Sequence, residues 1–223
     1  MSCAAAGKFV TRRAHFLAPP GPVAPGMAIG LLGGSFNPAH EGHRHISDVA
    51  LKRLGLDYVW WLVSPQNPLK PVAGMAPLGK RLAFARALAG HPRIVVTDIE
   101  SVLRTRYTID TVKLLKRRFP QVHFVWLMGS DNLESFHRWR NWQAIAAELP
   151  IAVVIRPGTA MAPLRSKAAR RFQPNLVASP AGFARARPPA LIVLDGPRNE
   201  ASATRIRAGS GPGEALVGAT PAC

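Results

Sequence analysis

Short apolar runs alternate along this chain with stretches in which apolar side chains recur at helical spacing. A continuous apolar run such as 58–63 is typical of a buried parallel strand, whereas Ile109, Val112 and Leu115 share one face of a predicted helix. The pattern predicts strands from residue 29 and over 58–63, 93–98, 122–128, 151–155 and 191–194. It predicts helices through 46–54 and over 78–89, 108–118, 132–148 and 202–208, with a proline-rich loop at 64–77 and no clear pattern over 157–190.

Strands that alternate with helices in this way predict an α/β fold. We expect a Rossmann-like doubly wound parallel sheet with helices on both faces, and ligands beyond the carboxyl ends of its strands. The 223 residues suffice for a single domain with a sizeable core, which we assign to 27–209. Residues 1–26 contain four prolines and no sustained period, so they predict a disordered or loosely ordered extension, and 210–223 predict a flexible tail.

The formal net charge of +17 first suggests a polyanionic partner such as RNA or DNA. The arginines are spread along the chain without an RNA-recognition signature, so we do not expect nucleic acid as the main partner, although a basic nucleic-acid-binding protein is kept as an alternative. Cys3 and Cys223 lie at the chain ends, which argues against a disulfide framework and fits a reducing cytoplasm. No apolar run reaches membrane-spanning length, so we expect no membrane partner. The oligomeric state is open, a homo-oligomer included.

The most informative segment is Ile29–His43, in which an apolar strand runs into a Gly-Gly turn and then into two histidines. Gly33 and Gly34 lack Cβ atoms, so the backbone can turn sharply and bring its N–H groups close to an anion. His40 and His43 are three residues apart and share one face of a predicted first helical turn. Imidazoles in that position can donate to phosphate oxygens, so the segment predicts a polyphosphate site.

A zinc site is the alternative interpretation of this histidine cluster. The spacing differs from His-Glu-x-x-His, whose histidines are four residues apart, and no further Cys or His is placed to complete a ligand set. We therefore predict no protein ligands for a metal. His45 lacks motif support, and a helix-surface or packing role is expected for it.

Residues 33–43 resemble the Gly-Gly-x-Phe-Asp-Pro-x-His-x-Gly-His signature of the nucleotidyltransferase superfamily, whose members transfer AMP or CMP from a nucleoside triphosphate to a phosphate-bearing acceptor. Asn37 stands where that signature has Asp, which removes a carboxylate. A loop-ordering role survives the change, because an Asn side chain can also make the backbone hydrogen bonds of a turn.

Later segments resemble the bacterial nicotinate-nucleotide adenylyltransferases in particular. Residues 64–70 resemble their Pro-x-x-x-Pro-x-Lys loop, and Tyr-Thr-Ile-Asp-Thr at 107–111 matches their Tyr-Thr-x-Asp-Thr element, although Thr108 or Asp110 could also simply cap a helix. Residues 129–142 match Gly-x-Asp-x-Leu-x-x-Phe-x-x-Trp-x-x-Trp, in which Phe136 and Trp142 are expected to pack in the core. Arg156 stands in Arg-Pro-Gly after a strand, as the family often has it. Residues 201–207 resemble Ile-Ser-Ser-Thr-x-Ile-Arg, with Ala201 and Ala203 as departures.

The resemblance implies transfer of AMP from ATP to nicotinate mononucleotide, giving deamido-NAD and pyrophosphate by in-line attack without a covalent intermediate, with Mg²⁺ bound through the ATP phosphates. It implies catalytic roles for His40, His43, Lys70 and Arg207. It implies ATP contacts at Gly33, Gly34, Ser35, Phe36, His43, Gly129, Asp131, Ser202, Thr204 and Arg207. It implies nicotinate-nucleotide contacts at Asn37, Lys70, Thr108 and Trp139. Nicotinamide mononucleotide and pantetheine phosphate remain alternative acceptors.

Overall fold

The computed structural model describes residues 18–66, 74–155 and 165–195. Within them, six parallel strands form one sheet in the order β3-β2-β1-β4-β5-β6. The strands are β1 (Ala28–Gly34), β2 (Tyr58–Val63), β3 (Ile94–Thr97), β4 (His123–Gly129), β5 (Ile151–Val154) and β6 (Leu191–Leu194). The strand order reverses direction between β1 and β4, which is where a doubly wound sheet opens a crevice for ligands.

Helices cover both faces of the sheet, which confirms the predicted fold. They are α1 (Glu41–Arg53), α2 (Leu78–Ala89), α3 (Ile99–Leu103), α4 (Thr108–Arg118), α5 (Ser130–Ser135), α6 (Trp142–Glu148) and α7 (Lys167–Phe172). The side chains of α1 and α2 pack in one buried cluster with one face of the sheet, and those of α3 to α7 pack in a second cluster with the other face. Strands buried on both faces explain why the apolar runs are continuous.

Strand β2 illustrates this relation between sequence and burial. Every side chain from Val59 to Val63 is buried, and successive side chains alternate between the two faces. Trp60 therefore packs in the cluster of α3 to α7, while Trp61 packs in the cluster of α1 and α2.

The predicted helix over 132–148 is wrong in its continuity. Helix α5 ends at Ser135, a 3-10 turn follows over Phe136–Arg138, and α6 starts only at Trp142. Between them Trp139 is extended and Asn141 has a left-handed φ of 51°, a conformation that Asn tolerates better than most residues. The aromatic residues three apart belong to two short helical pieces rather than to one helix.

Two further regions differ from the sequence pattern. Helix α3 was not predicted, because five residues are too short for a helical period to be visible. Part of 157–190, which lacked a pattern, forms α7 and two 3-10 turns at Gln173–Asn175 and Phe183–Arg185. The predicted helix over 202–208 lies outside the described residues.

Residues 18–26 contact the domain that follows them. The Gly26 N–H donates to the Gln121 carbonyl at 2.8 Å, and Arg185 donates to the Gly26 carbonyl at 3.1 Å. Val23 packs against the cluster of α3 to α7. The boundaries of the extension, the domain and the tail stay predictions, since residues 1–17 and 196–223 lie outside the described part.

Candidate active site

A crevice opens at the carboxyl end of the sheet because β1 and β4 separate before either strand ends. Their pairing stops at Leu32 and Leu127, whereas β1 stays paired with β2 as far as Gly34, and β4 stays paired with β5 as far as Gly129. The last residues of the two central strands thus face each other without a backbone ladder between them. This is the position in which open α/β sheets bind ligands.

The two glycines at the end of β1 serve different purposes. A Cβ on Gly33 would lie 2.7 Å from the ring of Trp126, which is 1 % exposed and cannot give way, so Gly33 is required by packing. A Cβ on Gly34 would meet only ordinary contacts, 3.5 Å from Phe36 and 3.9 Å from Nε2 of His43. Gly34 therefore leaves open a space beside the His43 imidazole.

His40 and His43 hold each other in place at the start of α1. His40 is the N-cap residue, and its Nδ1 accepts from the Gly42 N–H at 3.1 Å. Nδ1 of His43 accepts in turn from the His40 N–H at 3.2 Å, which completes a capping box made of two imidazoles. An Nδ1 that accepts a backbone N–H carries no proton, so the neutral rings are protonated at Nε2. Both histidines are thereby set up as Nε2–H donors.

Three neighbours fix the orientation of the His43 ring and its backbone. Phe36 stacks on it with 4.4 Å between ring centroids, and Trp61 stacks behind Phe36 at 5.3 Å. Ser47 donates to the His43 carbonyl and accepts from the Trp61 indole N–H. Phe36 is 1 % exposed, so its side chain supports His43 from within the core. The Phe36 backbone has a left-handed φ of 47°.

The glycine turn, residues 33–40, is tied to the segment that precedes α2. The Asn37 side chain donates to the Gly74 carbonyl at 3.0 Å and accepts from the Ala76 N–H at 3.1 Å. The loop-ordering role expected of Asn37 is thus observed, and these two bonds reach a segment distant in sequence. An Asp side chain could not make the bond to Gly74, because an ionised carboxylate has no proton to donate.

Arg81, in the first turn of α2, contacts both the glycine turn and the loop between β2 and α2. The whole residue is 3 % exposed. Its guanidinium donates to the carbonyls of Ser35, Ser64, Pro65 and Ala76 at 2.6 to 3.0 Å. Burial lowers the pKa of Arg81 below its ordinary value.

A buried carboxyl group lies on the other side of Ser64. Glu100, in α3, is 8 % exposed and is hydrogen-bonded by the side chains of Ser64 and Thr111. Burial raises the pKa of Glu100, and these two hydrogen bonds offset part of that shift. Thr111 in turn shares a 2.7 Å hydrogen bond with Thr105, so the network joins the end of β2 to the start of α4.

The start of α4 carries the predicted Thr108 as its first residue. Its N-cap residue, Tyr107, makes no side-chain capping bond, so the first turn presents backbone N–H groups at the positive end of the helix dipole. Two cations lie against the Tyr107 ring, with the guanidinium of Arg140 at 4.6 Å and that of Arg106 at 5.7 Å from its centroid. An anionic group is the ligand that this helix end favours.

The predicted residues after β4 lie along the opposite wall of the crevice. Gly129 ends β4 and is the N-cap residue of α5, and Asp131 stands in the first turn of α5 with an exposed side chain. The Trp139 ring is partly buried and meets Trp126 edge to face, with centroids 5.9 Å apart. Trp126 itself touches the Gly33 position, so Trp139 and the glycine turn are joined through one indole.

The structure thus brings together the predicted residues of the glycine turn and α1, while five others are not among the residues that it describes. Lys70, Arg156, Ser202, Thr204 and Arg207 lie outside the described residues. Among the described residues, no group of three or more His, Cys, Asp or Glu side chains could hold a metal ion. No helix described here is long and apolar enough to cross a membrane.

Arg81, Glu100 and Arg140 were missed by the sequence analysis. Arg81 stands in a helix with one further arginine, Arg86, and nothing local marks Arg81 as the buried one. Glu100 lies just before the Tyr-Thr-Ile-Asp-Thr element, and Arg140 directly follows Trp139, so proximity to recognised motifs was the one available signal.

Comparison with known proteins places these features in a family. Residues 31–209 match the family model of cytidylyltransferase-like proteins. A protein of Cereibacter sphaeroides named "Probable nicotinate-nucleotide adenylyltransferase" is 52 % identical over 184 residues, which are 82 % of this chain and 97 % of the relative. A protein of the same name from Parvibaculum lavamentivorans is 54 % identical over 185 residues, 82 % of this chain and 92 % of the relative.

A solved structure supports the fold at a greater distance. The Plasmodium falciparum nicotinic acid mononucleotide adenylyltransferase complexed with NaAD superposes with a TM-score of 0.62 at 17 % identity, over 82 % of this chain and 83 % of that one. With the fold, the family model and the identities in agreement, the chain belongs to the cytidylyltransferase-like family and, within it, to the nicotinate-nucleotide adenylyltransferases.

Proposed function

We propose that this protein transfers the adenylyl group of ATP to nicotinate mononucleotide, giving deamido-NAD and pyrophosphate in NAD biosynthesis. The observation that carries the proposal is the pair of imidazoles at the start of α1, with their Nδ1 atoms occupied by backbone N–H groups and the His43 Nε2 beside the open space at Gly34. Such fixed donors suit a triphosphate in the crevice between β1 and β4. Membership of the family supports the choice of acceptor.

The reaction needs no protein nucleophile. An oxygen of the acceptor's 5′-phosphate attacks the α-phosphorus of ATP in line, the new P–O bond forms, and the bond to the departing pyrophosphate breaks. Nε2–H groups of His40 and His43 donate to oxygens on which negative charge accumulates. Because the donors are already oriented by the capping box, no reorganisation is required as the charge develops.

The remaining phosphate contacts belong to the same proposal. The glycine turn offers the backbone N–H groups of Ser35 and Phe36, and Gly34 leaves room for the phosphates beside His43. Gly129 and Asp131 face the adenosine of ATP. The other contacts to the triphosphate come from Lys70, Ser202, Thr204 and Arg207. Proteins of this family generally use a divalent metal with ATP, and we propose Mg²⁺, which lowers the negative charge of the leaving pyrophosphate.

The acceptor's pyridine ring is proposed to lie between Trp139 and the start of α4. Trp139 offers an indole for stacking on the electron-poor ring, with Asn37 near the same nucleotide. The nicotinate carboxylate would meet the N-terminal N–H groups of α4 at Thr108, with the cation of Arg140 close by. This arrangement favours the acid over the amide, since only the acid is charged.

We propose that the reaction takes place in the cytoplasm. Assembly into a homo-oligomer stays a prediction.

The test is a steady-state assay of the purified protein with ATP, Mg²⁺ and one of three acceptors. Pyrophosphate release and the dinucleotide product are measured with nicotinate mononucleotide, nicotinamide mononucleotide and pantetheine phosphate. We expect release with the nicotinate compound and deamido-NAD as its product. Equal use of acid and amide would show dual specificity, and release with pantetheine phosphate alone would contradict the proposal.

A further inference from the structure

Arg81 is a buried cation that joins three segments of the chain. Its Nη1 donates to the Ser35 carbonyl at 2.6 Å and to the Ser64 carbonyl at 2.8 Å, so the glycine turn and the end of β2 share one nitrogen. Nη2 donates to Pro65 at 3.0 Å, and Nε donates to Ala76 at 2.9 Å. Four carbonyls, one from the glycine turn and three from the loop between β2 and α2, thus converge on one planar group.

The fork of a guanidinium matters for this arrangement. Three different nitrogens donate in fixed directions within one plane, which a lysine ammonium cannot reproduce. The carbonyls are partly buried with Arg81, so losing the donors would leave acceptors without partners. The position therefore selects arginine by geometry as well as by charge.

The bond to Ser35 bears directly on the glycine turn. In a trans peptide the carbonyl and the following N–H point in opposite directions. Because the Ser35 carbonyl points at Arg81, the Phe36 N–H points away from it. The Gly34 carbonyl likewise accepts from the Ser64 N–H at 2.9 Å on the β2 side, which directs the Ser35 N–H towards β4 and the crevice. Arg81 and Ser64 together set the direction in which this backbone offers its donors.

In the part of the chain that the structure describes, no acidic side chain forms an ion pair with Arg81. The ion pairs there are Arg44 with Asp48 and Lys116 with Glu148. Burial of a lone cation is unfavourable, and the four carbonyls offset this only in part. A polyanion bound one peptide away would interact favourably with such a cation, because a buried charge is weakly screened.

We propose that Arg81 is a positioning residue for adenylyl transfer, which holds the backbone of the glycine turn in its phosphate-binding conformation and adds positive charge beneath the triphosphate. The inference rests on the proposed function. Arg81 acts through Ser35 and the Ser64–Pro65 carbonyls and does not itself touch substrate. A second hydrogen bond connects the same two loops. The Ala76 carbonyl accepts from Arg81, and the Ala76 N–H donates to the Asn37 side chain in the glycine turn.

The experiment compares Arg81→Lys, which keeps the charge and loses the fork, with Arg81→Met, which loses both. Arg86→Lys and Arg86→Met serve as matched controls, because Arg86 is exposed on the same helix. Thermal unfolding first identifies the variants that are folded at the assay temperature. The readouts are kcat, the KM of each substrate, calorimetric binding of α,β-methylene-ATP, and hydrogen exchange of residues 33–43 against β5 in the same sample.

We expect folded Arg81→Lys to lose about 10- to 100-fold in kcat, the loss that a small misplacement of a catalytic segment produces, while the KM of nicotinate mononucleotide changes less than about 3-fold. Exchange should rise in residues 33–43 and stay unchanged in β5, and the ATP analogue should bind more weakly. Arg81→Met should be worse in each readout than Arg81→Lys.

Two results would overturn the inference. One is a kcat within 2-fold of wild type in folded Arg81→Lys, at an unchanged exchange rate in residues 33–43. The other is faster exchange in β5 and residues 33–43 alike, which means general destabilisation. If the wild-type protein forms no dinucleotide, the proposed function fails instead, and the binding and exchange readouts still decide whether Arg81 orders this turn for a nucleoside triphosphate.

Discussion

His40 shows how one side chain can serve the fold and the chemistry through its two ring nitrogens. Nδ1 caps α1 by accepting from the Gly42 N–H, and this bond leaves the proton of the neutral ring on Nε2. A variant that keeps the first function and removes the second can therefore separate them. Asn is suitable, because its side-chain oxygen is among the preferred N-cap acceptors.

We expect His40→Asn to unfold at nearly the wild-type temperature and to lose about 10²- to 10³-fold in kcat, the usual effect of removing one transition-state donor. His40→Ala should lose a similar factor in kcat. It should also lower the free energy of unfolding by about 1 kcal/mol, because it removes the cap. Denaturant unfolding and steady-state kinetics on both variants check this. Full activity in folded His40→Asn would remove His40 from the proposed catalytic set.

Arg140 is the residue on which selection of the acid is proposed to depend. Its side chain is exposed and lies over Tyr107 at the start of α4, so its attraction for a carboxylate is screened by water. We expect Arg140→Gln to raise the KM of nicotinate mononucleotide about 2- to 5-fold, to leave the KM of ATP unchanged, and to narrow the preference for acid over amide.

Arg138→Gln is the matched control for this prediction, since Arg138 is exposed two residues earlier in the 3-10 turn. It should leave both KM values at the wild-type level. Equal effects of the two substitutions would mean that general positive charge, and not the position of Arg140, attracts the acceptor.

At the scale of elements, the end of β1 combines a packing constraint with an open site in two adjacent glycines. Gly33→Ala places a methyl group against Trp126 and should lower the unfolding free energy by about 1–3 kcal/mol, as overpacking of a core does. Gly34→Ala meets only ordinary contacts, so we expect nearly wild-type stability. Its methyl group would still enter the space beside the His43 Nε2, and kcat/KM for ATP should fall steeply.

The pair is checked by thermal unfolding and by titration with an ATP analogue. We expect the two effects to separate, with stability lost at Gly33 and nucleotide binding lost at Gly34. If Gly34→Ala binds the analogue as tightly as the wild-type protein, the open space beside His43 is not the phosphate site.

Elements with a long, regular pattern were predictable from the sequence, and those set by tertiary contacts were not. Helix α4 matches its predicted bounds, 108–118, because its apolar face repeats over three turns. The segment after β4 shows the opposite case. Phe136 and Trp142 keep helical spacing, yet their rings meet edge to face at 5.9 Å from two separate pieces, and the break at Asn141 has no periodic signal.

At the scale of the whole molecule, the local part of the site was predictable and the long-range part was not. Gly33, Gly34, His40 and His43 form one continuous string whose spacing carries its chemistry. Arg81 acts on carbonyls up to 46 residues away in sequence, and carbonyls carry no side-chain signal. Glu100 becomes part of the site only because β2, α3 and α4 meet at Ser64.

Glu100 makes the stability of the molecule depend on pH. Burial raises its pKa above the unfolded value of about 4.5, so the protonated form favours folding at low pH, and this contribution is lost as pH rises through the raised pKa. Glu100→Gln keeps one acceptor oxygen, offers an N–H donor to a hydroxyl in place of the other oxygen, and has no charge to bury. We expect its stability relative to wild type to increase from about pH 4 to pH 7, as measured by denaturant unfolding. A difference independent of pH would mean that Glu100 does not titrate in this range.

An experimental structure of the protein with its proposed product, deamido-NAD, would test the assignment of this crevice as the active site. We expect the diphosphate of the product between Gly34 and the Nε2 atoms of His40 and His43, in the crevice between β1 and β4. We expect the nicotinate ring against Trp139, with its carboxylate at the start of α4. A diphosphate bound away from the glycine turn, or a pyridine ring away from α4, would contradict the assignment of this crevice as the active site.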